Sequence, residues 1–319
     1  MKAHAELRLV VEWYFRSRFG QTEGPGTLPF YCDPSRVGVF AVEPAELAAG
    51  RDEALFRLFV GLSMFQALRD VVILRQQRSM SVAAARPLLD LEYLSGLVRG
   101  HRCSSLLAEH FESECDVAKL DGEVDCTRHP GLPCPVKDAT TAFKRMGDIG
   151  KQPTSALRLW RDGGVPRLLQ EVRADASPTA RAELLVERFA QVHRVGRKLA
   201  TMFVSALSTP ALAPGLTPWF PEIDGNELVV VDTNVARAID VLRRGKGAKT
   251  YGARVAWLRR HARDIDLRAH RNDVPSYSPR IVQQALYAFC SKSNRVAASD
   301  PCAVTACETC IGGLCPFAY

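Results

Sequence analysis

No stretch of eighteen apolar residues occurs anywhere in the chain, which excludes a membrane-spanning helix. The opening residues, Met1-Lys2-Ala3-His4-Ala5-Glu6-Leu7-Arg8, lack the apolar core and small-residue cleavage site of a secretory signal, so a cytosolic location is expected. Strand-forming runs are scarce as well: Glu227–Val231 is the only β-rich stretch, and it is short. Internal repeats and low-complexity tracts are absent. Acidic side chains run out in one region. Between Ala236 and Arg295 there are 14 Lys+Arg against 4 Asp, a local charge of +10 in a chain whose net charge is +7. Such an excess fits a polyanionic partner; it equally fits a solvated Arg-rich surface.

What is present is helical periodicity. At 319 residues the chain is long enough for two compact domains. Apolar residues at helical spacing (Leu7, Val10, Val11, Trp13, Tyr14, Phe15) predict a first helix over Glu6–Arg18. Gly20–Val39 is rich in Gly and Pro and reads as an ordered loop, pinned by Phe30 and Tyr31. Asp52–Arg78 reads as one helix, apolar nearly all round, at the centre of a bundle. Short helices follow within Ala83–Phe111, and Glu112–Pro135 reads as a loop. Helical periodicity returns at Val136–Met146, Thr154–Trp160, Val165–Val172 and from Thr179 onward. The fold class is all-α, or mainly α.

Cysteine usage separates into three groups. Cys32 stands alone and reads as a small buried apolar residue. Cys103, Cys115, Cys126 and Cys134 are widely spaced, with His110 and His129 between them; they read either as a second metal site or as unrelated buried thiols. The tail carries Cys302-x4-Cys307-x2-Cys310-x4-Cys315, with Cys290 upstream as a possible substitute ligand. Four cysteines this close in a reducing compartment read as a metal site, zinc by default.

Two stretches carry the chemistry. Gln191-Val-His-Arg-Val-Gly-Arg-Lys-Leu-Ala-Thr-Met-Phe203 reads as the hairpin and second helix of a helix–hairpin–helix at about 183–207. Gly196 is the residue expected to take the left-handed conformation at its tip, with Arg194 and Arg197 adding charge and backbone N–H groups offered to phosphate. Lys198 follows on the first helical turn. The second stretch, Val229-Val-Val-Asp-Thr-Asn-Val-Ala-Arg237, puts Asp232 at the start of another helix. An amine and a carboxylate are the two groups that base excision through an imine requires. The bland alternative is a phosphate-contacting Lys198 and an Asp232 that only caps its helix.

These residues resemble the helix–hairpin–helix DNA glycosylases related to endonuclease III, whose motif is Leu-Pro-Gly-Val-Gly-x-Lys-Thr-Ala followed by Val-Asp-Thr-His-Val-x-Arg. The matches are Val195, Gly196, Lys198 and Ala200, then Val231, Asp232, Thr233, Val235 and Arg237. The chain departs at His193 and Arg194, where the family has Pro and Gly. The spacing from Lys198 to Asp232 is longer than in endonuclease III and resembles the archaeal 8-oxoguanine glycosylases of the same superfamily.

The resemblance implies a two-lobed fold: a helical barrel over 51–208, and a second lobe joining 1–50 to 209–319. It implies that Lys198 attacks the sugar C1′, aided by desolvation and neighbouring Arg197, while Asp232 stabilises oxocarbenium-like charge. Glycosidic cleavage would then be followed by β-elimination. It further implies a [4Fe–4S] cluster on Cys302, Cys307, Cys310 and Cys315, and a nearby basic loop carrying Lys292 and Arg295. Gln66 resembles the glutamine that enters the duplex, and Arg237 is a further DNA contact. A flipped base would stack on Phe203, Trp219 or Phe220. The expected partner is double-stranded DNA, engaged by a monomer associated with the nucleoid. Two readings stand beside this one: a monofunctional glycosylase using Asp232 and water, and a non-catalytic, metal-stapled DNA-binding module.

Overall fold

Nine of the twelve side chains from Asp52 to Ser63 are buried, so this helix must be surrounded on nearly every face. The computed structural model describes residues 2–66, 68–100, 151–160, 163–173 and 177–291. The chain divides into two compact units. A middle unit comprises Phe30–Ala176 and Leu184–Phe203; a terminal unit comprises Met1–Pro29, Ser177–Glu183 and Val204–Tyr319. Regular structure among the described residues is helical, and the one β-bridge is the isolated Phe19–Glu23 pair. In chain order the helices are α1 (Lys2–Ser17), α2 (Pro34–Val37), α3 (Pro44–Ala48), α4 (Asp52–Ser63), α5 (Asp70–Ser79), α6 (Val82–Leu89) and α7 (Leu91–Gly100). After residues 101–150 come α8 (Lys151–Trp160), α9 (Gly164–Arg173), α10 (Pro178–Phe189), α11 (Arg197–Ser208), α12 (Thr233–Leu242), α13 (Tyr251–Ala262) and α14 (Pro279–Cys290). Helices α10 and α11 each give residues to both units.

The middle unit is built on α4. Phe59 places its ring 5.5 Å from Trp160 of α8, 5.3 Å from Phe189 of α10 and 5.0 Å from Phe203 of α11. Edge and tilted contacts of this kind add specificity to the burial itself. The expected loop over Gly20–Val39 does contain turns, but its second half winds into Phe30–Cys32 and α2, with a further 3-10 turn at Gly38–Phe40. Gly38 is left-handed (φ 57), and a Cβ there would lie 2.8 Å from the Arg78 Cα. Glycine at this position lets the chain approach the end of α5. Cys32 is buried as expected, and burial, helped by the charge of Glu43, pushes its thiol up to about 12.

One expectation fails in an informative way. The single helix expected over Asp52–Arg78 is two helices, α4 and α5, parted at Met64–Arg69. Ser63 turns its hydroxyl back onto the Phe59 carbonyl at 2.6 Å, a bond that competes with helix continuation. The Gln66 side chain donates to the Ser63 carbonyl at 2.6 Å, satisfying one of the acceptors a helix end leaves open. Arg69 is extended (φ −72, ψ 142), and Asp70 opens α5 where a carboxylate favours the helix dipole. Apolar periodicity runs straight through the break because Met64 and Phe65 are both buried.

In the terminal unit, Leu7, Val10, Val11 and Tyr14 of α1 share one core with Val235 and Ile239 of α12 and Ile281, Leu286 and Phe289 of α14. The β-rich run before α12 forms no strand. Val229–Val231 are buried, and side chains take the place of a ladder. Gln283 Oε1 accepts from Val230 N at 3.3 Å. The Tyr251 hydroxyl donates to the Val229 carbonyl at 2.9 Å and accepts from Val231 N at 3.5 Å. The stretch that leads to Asp232 is thus held by α13 and α14.

Phe59→Ala should cost about 3–5 kcal/mol of stability, against less than about 0.5 kcal/mol for Val82→Ala at an exposed site. Urea denaturation read by tryptophan fluorescence measures both; equal midpoints would remove α4 from the centre of the middle unit.

Candidate active site

The chain between α10 and α11 makes its turn with a hydrogen bond from Val195 N to the Val192 carbonyl at 2.9 Å. Val192 and Val195 are both buried, which anchors the turn from beneath. Its third residue, Arg194, has φ 61, and Gly196 is not left-handed. This corrects the expectation that Gly196 supplies the left-handed position. A four-residue turn of this form demands positive φ at its third residue, which is Arg194. The same position is the first glycine of the glycosylase motif. Here an arginine occupies it, at a cost of roughly 1–2 kcal/mol in backbone strain.

Gly196 serves a different purpose. Its carbonyl accepts from Leu199 N at 3.0 Å and from Ala200 N at 3.2 Å, so it is the residue on which α11 begins. A Cβ there would meet nothing within 4 Å. Arg194, Gly196 and Arg197 are exposed around this helix start. The N–H groups of a first helical turn have no partner within their own helix, and they attract anions. His193 is tied down by its N–H, which donates to the buried Ser155 hydroxyl at 3.0 Å.

Lys198 is the second residue of α11 and half-buried. Its Nζ donates to the Phe65 carbonyl at 2.8 Å. That carbonyl lies in the break between α4 and α5, one residue before Gln66. The break therefore brings together two residues 132 positions apart, Gln66 and Lys198, within the middle unit. Phe65 is itself held by the Phe30 ring at 5.4 Å. An amine with one N–H on a main-chain carbonyl is fixed in direction, and its lone pair, once deprotonated, is available to an electrophile.

Asp232 lies in the terminal unit. It caps α12, with Oδ1 accepting from Val235 N at 2.7 Å, and its backbone is extended (φ −90, ψ −177). The carboxylate is half-buried at the N-terminal end of a ten-residue helix. Arg237, further along α12, is exposed. The aromatic candidates divide: Phe203 and Trp219 are core residues at 0% and 5% exposure, while Phe220 is 40% exposed. Stacking on a base is open only to Phe220.

The basic region is partly neutralised by folding. Arg254 makes a two-pronged bond to Asp240 and Arg271 one to Asp273; Arg244 grips both oxygens of Glu6, and Arg259 pairs with Glu183. Glu6 and Glu183 lie outside the window in which the excess was counted, so the sequence did not reveal these pairings. Lys292 and Arg295, the tail cysteines Cys302, Cys307, Cys310 and Cys315, and the middle cysteines Cys103, Cys115, Cys126 and Cys134 lie outside the described residues. Cys290 closes α14 with its side chain in the terminal-unit core. No family model, curated protein or solved structure matches the chain.

The cap can be separated from the charge. Asp232→Ala should cost about 1 kcal/mol through loss of the cap, whereas Asp232→Asn, an equally good cap, should stay within a few tenths. Thermal denaturation of the two variants decides it; equal losses would mean that the carboxylate charge, rather than the cap, stabilises α12.

Proposed function

We propose that the chain is a bifunctional helix–hairpin–helix DNA glycosylase that excises a damaged, oxidised base and then nicks the abasic site. The observation that carries the reading is the placement of the Lys198 amine on the Phe65 carbonyl beside Gln66. It is supported by Arg194, which is left-handed where the resembled family has glycine, and by Asp232, which caps a helix in the second motif half.

In this reading the hairpin and the start of α11 hold the phosphate backbone, and Arg194 and Arg197 add charge. Gln66 fills the gap left by the extruded nucleotide. Neutral Lys198 Nζ attacks C1′; the C1′–N bond breaks and its electrons leave with the base, which takes up a proton. Asp232 stabilises the positive charge that develops on the sugar. One proton of the amine then passes to O4′ as the C1′–O4′ bond breaks and the sugar ring opens, giving a protonated C1′ imine. Loss of a C2′ proton expels the 3′ phosphate by β-elimination, and water hydrolyses the imine to free Lys198. Cys302, Cys307, Cys310 and Cys315 would hold a [4Fe–4S] cluster whose role is to tie the tail and shape the basic loop of Lys292 and Arg295; zinc is the alternative metal.

The Lys198–Phe65 bond also favours a second reading, in which the lysine is a fixed cation and Asp232 activates water. On duplexes carrying oxidised purines or pyrimidines, the bifunctional enzyme should release base and nick the strand. Lys198→Gln should lose both activities by more than about a hundredfold, and Asp232→Asn should lower base release by a similar factor. Base release without nicking by Lys198→Gln would establish the monofunctional reading; no release by the wild type from any lesion would leave a DNA-binding module. Protein purified without oxygen should be brown and carry about four irons per chain, and Cys307→Ala should lose them. Zinc in their place would overturn the cluster.

A further inference from the structure

The residues that join α12 to α13 are Arg243-Arg244-Gly245-Lys246-Gly247-Ala248-Lys249-Thr250. Four cations fall within seven residues, with no acid among them, and every residue from Arg244 to Thr250 is exposed. The backbone is as distinctive as the charge. Arg244 (φ 55), Gly245 (φ 69) and Gly247 (φ 82) are all left-handed, and the N–H groups of Arg244, Gly245 and Lys246 turn back onto the carbonyls of Val241, Asp240 and Arg243, which closes the end of α12.

The loop is also held in shape. The Arg243 guanidinium spans it, donating to the Ala248 carbonyl at 2.9 Å and lying over Gly247, where a Cβ would be 2.0 Å from its Nη2. The positive φ favours glycine at 247. Arg244 is fastened to Glu6 of α1 at 2.6 and 2.8 Å. On the far side, Thr250 caps α13, a twelve-residue helix, by accepting from Ala253 N. Asp240, bonded to Arg254, is held below the usual carboxylate range, with Lys249 and Arg243 adding to the effect. Arg243 and Arg244 thus serve to shape the loop. Lys246 and Lys249 are the cations it presents at its exposed edge.

We propose that this loop is a second contact with the nucleic-acid backbone, separate from the hairpin, with Lys246 and Lys249 each neutralising one phosphate. The proposal rests on the DNA glycosylase reading and extends it to the flanking duplex. Helix α12 has ten residues between the Asp232 cap and the loop, a length of about 15 Å. The phosphates the loop contacts would therefore flank the damaged nucleotide. Contacts of this kind carry no sequence or lesion preference.

The test is the salt dependence of binding to a fluorescent duplex, damaged and undamaged, by the wild type, Lys246→Ala/Lys249→Ala and Lys246→Arg/Lys249→Arg. The alanine pair should make the slope of log K against log salt shallower by about 1.8. It should weaken both duplexes by the same factor and leave single-turnover base release at saturating enzyme unchanged; the arginine pair should restore the slope. Ethylation of phosphates flanking the lesion should interfere with wild-type binding at positions where the alanine pair shows no interference. An unchanged slope, with wild-type binding intact, would overturn the loop contact and leave the glycosylase reading standing. A wild type that releases no base yet binds duplex with a slope dependent on Lys246 and Lys249 would keep the contact and sink the enzyme. A loop that binds phosphatidylserine vesicles while the duplex slope is indifferent to both lysines would make it a lipid contact and overturn the proposal.

Discussion

The carbonyl groups that a helix leaves behind when it stops are the constraint on which the middle unit turns. Helix α4 is buried on almost every side, so its C-terminal end cannot spill its unpaired acceptors into water. The Gln66 side chain takes the Ser63 carbonyl, the last of α4, and the Lys198 amine takes that of Phe65, two residues beyond the helix. A lysine tied to a main-chain acceptor loses much of its rotamer freedom. The charge-assisted bond to the Phe65 carbonyl offsets that loss. The break after α4 thus gives Lys198 a main-chain acceptor, and that bond aims the amine.

The terminal unit solves an analogous problem around Asp232. Three successive valines enter the core just before it, and their backbone groups need partners that no strand supplies. Tyr251 and Gln283 provide them from two helices. The carboxylate then emerges at a helix start whose geometry is set on both sides, by the buried valines before it and by the Val235 N–H after it. Preorganised charge of this kind is what a reaction passing through a cationic sugar can use.

How legible was all this in the sequence? Periodicity reads burial, and burial was read well: α1, the core face of α4, the buried Cys32 and the cap at Asp232 all follow from residue type and spacing. Periodicity does not read the backbone, so the break after Ser63 was invisible, because Met64 and Phe65 remain buried through it. The left-handed residue was sought at Gly196 because glycine adopts that conformation freely. The turn's hydrogen bond from Val195 to Val192 assigns it to Arg194 instead, and a side chain bears the strain. Charge counting found the basic region but could not see that Glu6, 238 residues from Arg244, neutralises part of it. Phe203 and Trp219 show the reverse limit: an aromatic near a motif is core unless something exposes it.

The most direct test of the imine chemistry is borohydride reduction of the protein mixed with a duplex carrying an abasic site, followed by peptide mapping of the adduct. The account predicts a covalent protein–DNA species with the modified lysine at position 198. An adduct on a different lysine, or none from a protein that still binds the duplex, would contradict it.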